Sequence, residues 1–128
     1  MPHIIVEYTG NIASEANADG LLKSLTSGLA QCGTKFPVSA IRARAIELQT
    51  YFMADGAEDY AFVHIELRVA PGRSPEIKQQ ARSVLLETAK THFAELLATR
   101  PLALTLELTE TAAKSDKFSN FTVGGVAP

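Results

Sequence analysis

This 128-residue chain predicts an α+β domain made of two tandem strand–helix–strand units. Three observations carry that prediction. The apolar period switches twice between two and about 3.6. A glycine follows the first helical stretch, and a Pro-Gly turn leads into the second.

Positions 3–8 form a short, largely apolar run with a β-branched centre, which predicts a buried first strand. Over 12–31, Ile12, Ala16, Leu21, Leu22, Leu25 and Leu29 fall at helical spacing. Gly33 then stands where a helix C′ residue belongs, and Asp19-Gly20 marks an irregular first turn. A second strand is expected over 40–53, closed by the turn Ala54-Asp55-Gly56. Positions 60–69 alternate cleanly. Ala61, Val63, Ile65, Leu67 and Val69 share one face, with Tyr60, Phe62, His64, Glu66 and Arg68 on the other. Pro71-Gly72-Arg73 predicts a turn, Ser74 an N-cap, and Pro75 the first helical position. Ile77, Ala81, Val84, Leu85, Ala89, Leu96 and Leu97 stripe a second helix that ends before Pro101. Leu102, Leu104, Leu106 and Leu108 then alternate with Ala103, Thr105, Glu107 and Thr109 as a fourth strand. The tail, 111–128, is polar but carries Phe118, Phe121 and Val123, which suit docking against a neighbouring chain.

The expectation is therefore one domain with pseudo-repeats over 2–57 and 58–110, followed by the tail. Right-handed crossovers put both helices on one face of a four-stranded sheet. The other face stays uncovered, and on the third strand it is half aromatic and half charged. Such a face is usually buried against a partner, so self-association is expected.

Composition narrows the function. Hydrophobic residues make up 46% of the chain, enough for a globular core. With 14 acidic and 12 basic residues the net charge is −2, so there is no overall basic field and no nucleic-acid partner is expected. No apolar run reaches membrane-span length, and the start lacks the pattern of a signal peptide. The single cysteine, Cys32, fits a reducing compartment, and the cytoplasm is the expected location. Its expected role is a small apolar residue near a helix end. His3, His64 and His92 show no ligand-like clustering, so no metal is expected. His64 and His92 read as structural residues, and His3, next to the proline, as a substrate-binding residue lining the site.

The chemistry concentrates at Met1-Pro2. Initiator methionine is normally trimmed before a residue as small as proline, which would expose a prolyl secondary amine. An α-amino group titrates near pH 7.7–8.0, and a prolyl amine is intrinsically more basic. Nearby cations or an apolar wall lower that pKa toward neutrality, where a general base works best. Arg42 and Arg44, two apart on a strand, project to one side. Arg73 sits beside the N-terminus of the second helix. Guanidinium forks and helix-end donors together suit a substrate with several carboxylates.

These residues lie within a longer pattern. Pro2-His3-Ile4-Ile5-Val6-Glu7, Phe36-Pro37, Ile41-Arg42-Ala43-Arg44 and Met53-Ala54-Asp55-Gly56 begin it. Asp59-Tyr60-Ala61-Phe62-Val63-His64, Gly72-Arg73-Ser74, Gln79-Gln80-Ala81, Thr91-His92-Phe93 and Arg100 with Leu102-Ala103-Leu104 continue it. Over 2–110 the chain resembles the 5-carboxymethyl-2-hydroxymuconate delta-isomerase family of the tautomerase superfamily; the tail departs most. The resemblance implies a tautomerase-like β-α-β-β-α-β fold assembled as a homotrimer with sheets facing inward. It implies Pro2 as the proton shuttle, Arg42 and Arg73 as leading carboxylate binders, and Arg44 as a third. The implied reaction converts 5-carboxymethyl-2-hydroxymuconate to its 2-oxo form, a step of homoprotocatechuate degradation, without metal or organic cofactor. Two alternatives stay open: a non-enzymatic trimeric binding or interaction protein on the same fold, and a tautomerase of another 2-oxo acid.

Overall fold

The computed structural model describes residues 1–33 and 35–126. Positions 127 and 128 of the tail lie outside the described residues. The main sheet has the order β2-β1-β3-β4, from β1 (His3–Thr9), β2 (Arg42–Leu48), β3 (Ala61–Val69) and β4 (Leu102–Glu110). β1 pairs parallel with β2, and β3 parallel with β4; β1 and β3 meet antiparallel at the centre. This is the expected tandem β-α-β arrangement.

The alternation in β3 holds throughout. Ala61, Val63, Ile65, Leu67 and Val69 are all buried, together with Ile4 and Val6 of β1. Helices α2 (Ala18–Ala30) and α3 (Pro75–His92) cover that face through Leu21, Leu25, Leu29, Ala81, Leu85 and Ala89. Gly28 brings the two helices close, because a Cβ there would stand 3.1 Å from Val84 and 3.3 Å from Thr88. Ser74 caps α3 by accepting the Ile77 N–H at 3.2 Å, with Pro75 at the start of the helix.

Three boundaries differ from expectation. The first helical stretch is broken at Asn17 into α1 (Ala13–Ala16) and α2, following a 3₁₀ turn over Gly10–Ile12. Asn17 adopts φ +45° and its side chain accepts the Gly20 N–H, so it both tolerates the left-handed turn and caps α2. Gly20 leaves room for that cap: a Cβ there would fall 2.4 Å from the Asn17 amide. The second strand is only Arg42–Leu48, because an edge strand ends where its partner ends, and Leu48 pairs with Thr9. The last helical stretch breaks at Phe93 into α3 and α4 (Ala94–Thr99), as Phe93 turns into the core at 2% exposure. Gly33, at φ +113°, lies one residue further along than expected, since Gln31 is the C-cap of α2.

The opposite sheet face carries half-buried and exposed residues in rows set by the register. Arg42, His3, Arg68 and Thr109 form one row, and Arg44, Ile5, Glu66 and Glu107 the next. On this face His64 lies between Thr105 (2.6 Å) and Glu107 (3.1 Å), while His92 donates to the Ala16 carbonyl at 2.7 Å. Both are thus hydrogen-bonded residues of the framework. The tail ends in a small hairpin of β5 (Phe121–Thr122) and β6 (Gly125–Val126), with Phe118 94% exposed. Among the described residues, no helix is long and apolar enough to cross a membrane.

Candidate active site

Pro2 leads directly into β1 and is buried; its carbonyl accepts the Arg42 N–H at 3.0 Å. That bond starts the β1–β2 ladder and fixes the chain terminus at one end of the sheet. Val69, at the end of antiparallel β3, lies at the same end. The turn after β3 therefore delivers Arg73 beside the terminus. Arg73 lies over the buried Phe36 ring at 4.6 Å and donates to the carbonyls of Lys35 (2.8 Å) and Ala70 (3.3 Å). Burial pushes its pKa down, and the Glu110 carboxylate offsets part of that. Two of the five guanidinium N–H donors are committed to the backbone, and among the described residues the buried Nε has no partner.

An open-sided cavity of about 420 Å³ lies over this end, lined by Met1, Lys35, Ala70, Pro71, Gly72, Arg73, Lys114, Ser115 and Lys117. Four of those side chains are basic and none is acidic. The Met1 amine is held below its ordinary pKa, first by burial and then by the charges of Arg73, Lys117, Arg42 and Lys114. A base placed here stays unprotonated at lower pH than it would in water.

The sequence-predicted residues divide between two neighbouring places. Pro2 and Arg73 belong to the cavity end. Arg42, Arg44 and His3 stand on the open sheet face, where Arg44 donates to His3 Nδ1 at 3.0 Å. An imidazole nitrogen that accepts a bond carries no proton, and the His3 pKa is lowered, by burial first and then by Arg44 and Arg68. His3 is accordingly a neutral acceptor turned toward Arg44 rather than a wall of the cavity. Arg42 bridges the two places. It bonds the Ser39 and Ile41 carbonyls, packs 5.3 Å from the Phe121 ring, and its charge reaches the terminus. Lys35, Lys114 and Lys117 escape sequence reading: a lysine in a polar tail looks solvated, and only the tail's return over β1 brings two of them to the cavity. Among the described residues, no group of three or more His, Cys, Asp or Glu side chains is placed to hold a metal.

Residues 2–122 match the family described as 5-carboxymethyl-2-hydroxymuconate isomerase. The chain belongs to this family. A 5-carboxymethyl-2-hydroxymuconate Delta-isomerase of Escherichia coli is 47% identical over 110 residues, spanning 86% of each chain. The crystal structure of a 5-carboxymethyl-2-hydroxymuconate isomerase from Deinococcus radiodurans R1 is 37% identical. It superposes with a TM-score of 0.86 over 92% of this chain and 90% of that one. A second crystal structure, of a 5-carboxymethyl-2-hydroxymuconate delta-isomerase, gives 0.86 at 27% identity, over 94% and 89%. As a member of the 5-carboxymethyl-2-hydroxymuconate isomerase family with a tautomerase fold, the chain is an enzyme. That sets aside the non-enzymatic alternative.

Proposed function

We propose that this enzyme converts 5-carboxymethyl-2-hydroxymuconate to its 2-oxo form, using the nitrogen of Pro2 after removal of Met1. The observation that carries the reading is the cavity, its four charged side chains all basic, built around the residue attached to that nitrogen. While Met1 is attached, the Pro2 nitrogen is an amide and cannot accept a proton. Once Met1 leaves, the volume it fills joins the cavity and the prolyl amine stands at its wall. The amine takes the enol O–H proton, the dienolate electrons shift along the conjugated chain, and the ammonium returns the proton to the distant carbon. The product is a conjugated ketone, and the amine is regenerated. Arg73 and Arg42 hold substrate carboxylates, with Arg44 as a third binder. Burial and the same cations depress the amine's pKa, moving the exchange of base and acid forms toward neutrality.

This reading places the protein in homoprotocatechuate degradation in the cytoplasm, as one domain of two halves, 2–57 and 58–110, with no cofactor. Ketonisation of 5-carboxymethyl-2-hydroxymuconate, 2-hydroxymuconate and the enol of phenylpyruvate, followed by ultraviolet absorbance, tests it. The first substrate is expected to have the highest kcat/KM. A preference for the phenylpyruvate enol would move the assignment to a tautomerase of another 2-oxo acid.

The assembly is proposed as a homotrimer that buries much of the face bearing Tyr60, Phe62 and His64. Light scattering is expected to give about three times the 13.7 kDa chain mass. A stable monomer at micromolar concentration would remove this part of the proposal.

A further inference from the structure

The tail is anchored at both ends. Near its start, the Thr111 N–H donates to the Val69 carbonyl at 2.9 Å, and the Thr111 hydroxyl to the Ala113 carbonyl at 2.8 Å. Further on, Phe121 packs against the Arg42 guanidinium. Between these anchors the chain crosses the end of the sheet where β1 begins, and Lys114, Ser115 and Lys117 line the same cavity as Arg73. Among the described residues, neither lysine forms an ion pair, whereas Lys78 and Lys90 are each paired with a glutamate. Unpaired ammonium groups lining one cavity repel one another, and an anion held between them relieves that repulsion.

The proposed substrate is a tricarboxylate: a six-carbon dienol diacid with a carboxymethyl branch. Arg73 and Arg42 match the two carboxylates of the rigid conjugated chain, because a planar fork suits a fixed oxygen pair. The third carboxylate hangs on a rotatable methylene. A compact ammonium on a flexible stem can follow it. We propose that Lys114 and Lys117 hold this pendant carboxylate, making the tail the element that distinguishes tricarboxylates from dicarboxylates. The inference rests on the isomerase reading above and adds a specificity determinant to it.

The test compares trimmed, full-length wild type with Lys114→Gln/Lys117→Gln on 5-carboxymethyl-2-hydroxymuconate and on 2-hydroxymuconate, which lacks the branch. Exposed ion pairs are individually weak, so the tricarboxylate-to-dicarboxylate ratio of kcat/KM is expected to fall roughly fivefold, chiefly through KM. Lys114→Arg/Lys117→Arg should restore the ratio, and added salt should erode it in wild type. An unchanged ratio, or an equal loss on both substrates, overturns the proposal. Calorimetric binding of 1,2,3-propanetricarboxylate against glutarate gives a readout that needs no turnover. If wild type ketonises none of the substrates but prefers the tricarboxylate, and the double variant loses that preference, the subsite stands and the isomerase reading fails. If wild type shows no such preference, the subsite is wrong whatever the enzyme catalyses.

Discussion

Protein that uniformly retains Met1 is expected to ketonise substrate about 10²–10⁴-fold more slowly than trimmed protein, the usual cost of losing a general base. The effect is chemical rather than conformational. Pro2 is buried and its carbonyl is bonded to Arg42 in the Met1-bearing chain, so the sheet end is already formed. What the amide lacks is a basic nitrogen. Intact mass sorts the samples, and initial rates on each give the comparison. Pro2→Ala, once trimmed, keeps a primary and more mobile amine and is expected to fall between the two. The pH profile adds a second reading. Activity should rise as the amine deprotonates, at a pH below that of a free prolyl amine, since burial, Arg73, Lys117 and Arg42 lower the terminal pKa here. Removing Arg73 should move that limb to higher pH. Equal rates for trimmed and Met1-bearing protein would rule out Pro2 as the base.

Arg73→Ala is expected to lower kcat/KM for 5-carboxymethyl-2-hydroxymuconate roughly ten- to a hundredfold, as charge-assisted bonds contribute about 1.5–3 kcal/mol. Arg73 also ties the Lys35 and Ala70 carbonyls together over Phe36, so the variant should melt at lower temperature as well. Arg73→Lys separates the two effects. It keeps the charge near the amine but loses the fork, and should recover the pH profile better than the rate. Arg42→Ala should weaken turnover by a similar factor without disturbing Phe36. Arg44→Ala should cost less, because Arg44 spends a donor on His3. Wild-type kinetics for both Arg42→Ala and Arg73→Ala would place the anion elsewhere.

The legibility of the fold follows from its periodicities. Strand β3 alternates over its nine residues because one face meets two helices and the other does not, and its burial follows that pattern. Local capping chemistry was equally readable at Ser74-Pro75, where a hydroxyl and a missing N–H act within one turn. The breaks at Asn17 and Phe93 were not. Each interrupts a stretch whose apolar spacing continues through it, and what decides them is a side chain's destination: the Gly20 N–H for Asn17, the core for Phe93. The extent of β2 was equally hidden, since an edge strand takes its length from a partner some forty residues away in sequence.

For the site, the sequence by itself determined the kinds of chemistry available: one candidate prolyl amine, three arginines and a two-unit α+β frame to carry them. Only the tertiary structure decided which of these meet. Antiparallel pairing of β1 with β3 brings the turn bearing Arg73 to the chain terminus, whereas strand alternation turns His3, Arg42 and Arg44 onto the open face. The return of the tail across the same sheet end adds Lys114 and Lys117 to the cavity. Electrostatic potential depends on distance through space, and residues far apart in the chain share a site only after the sheet has set that distance.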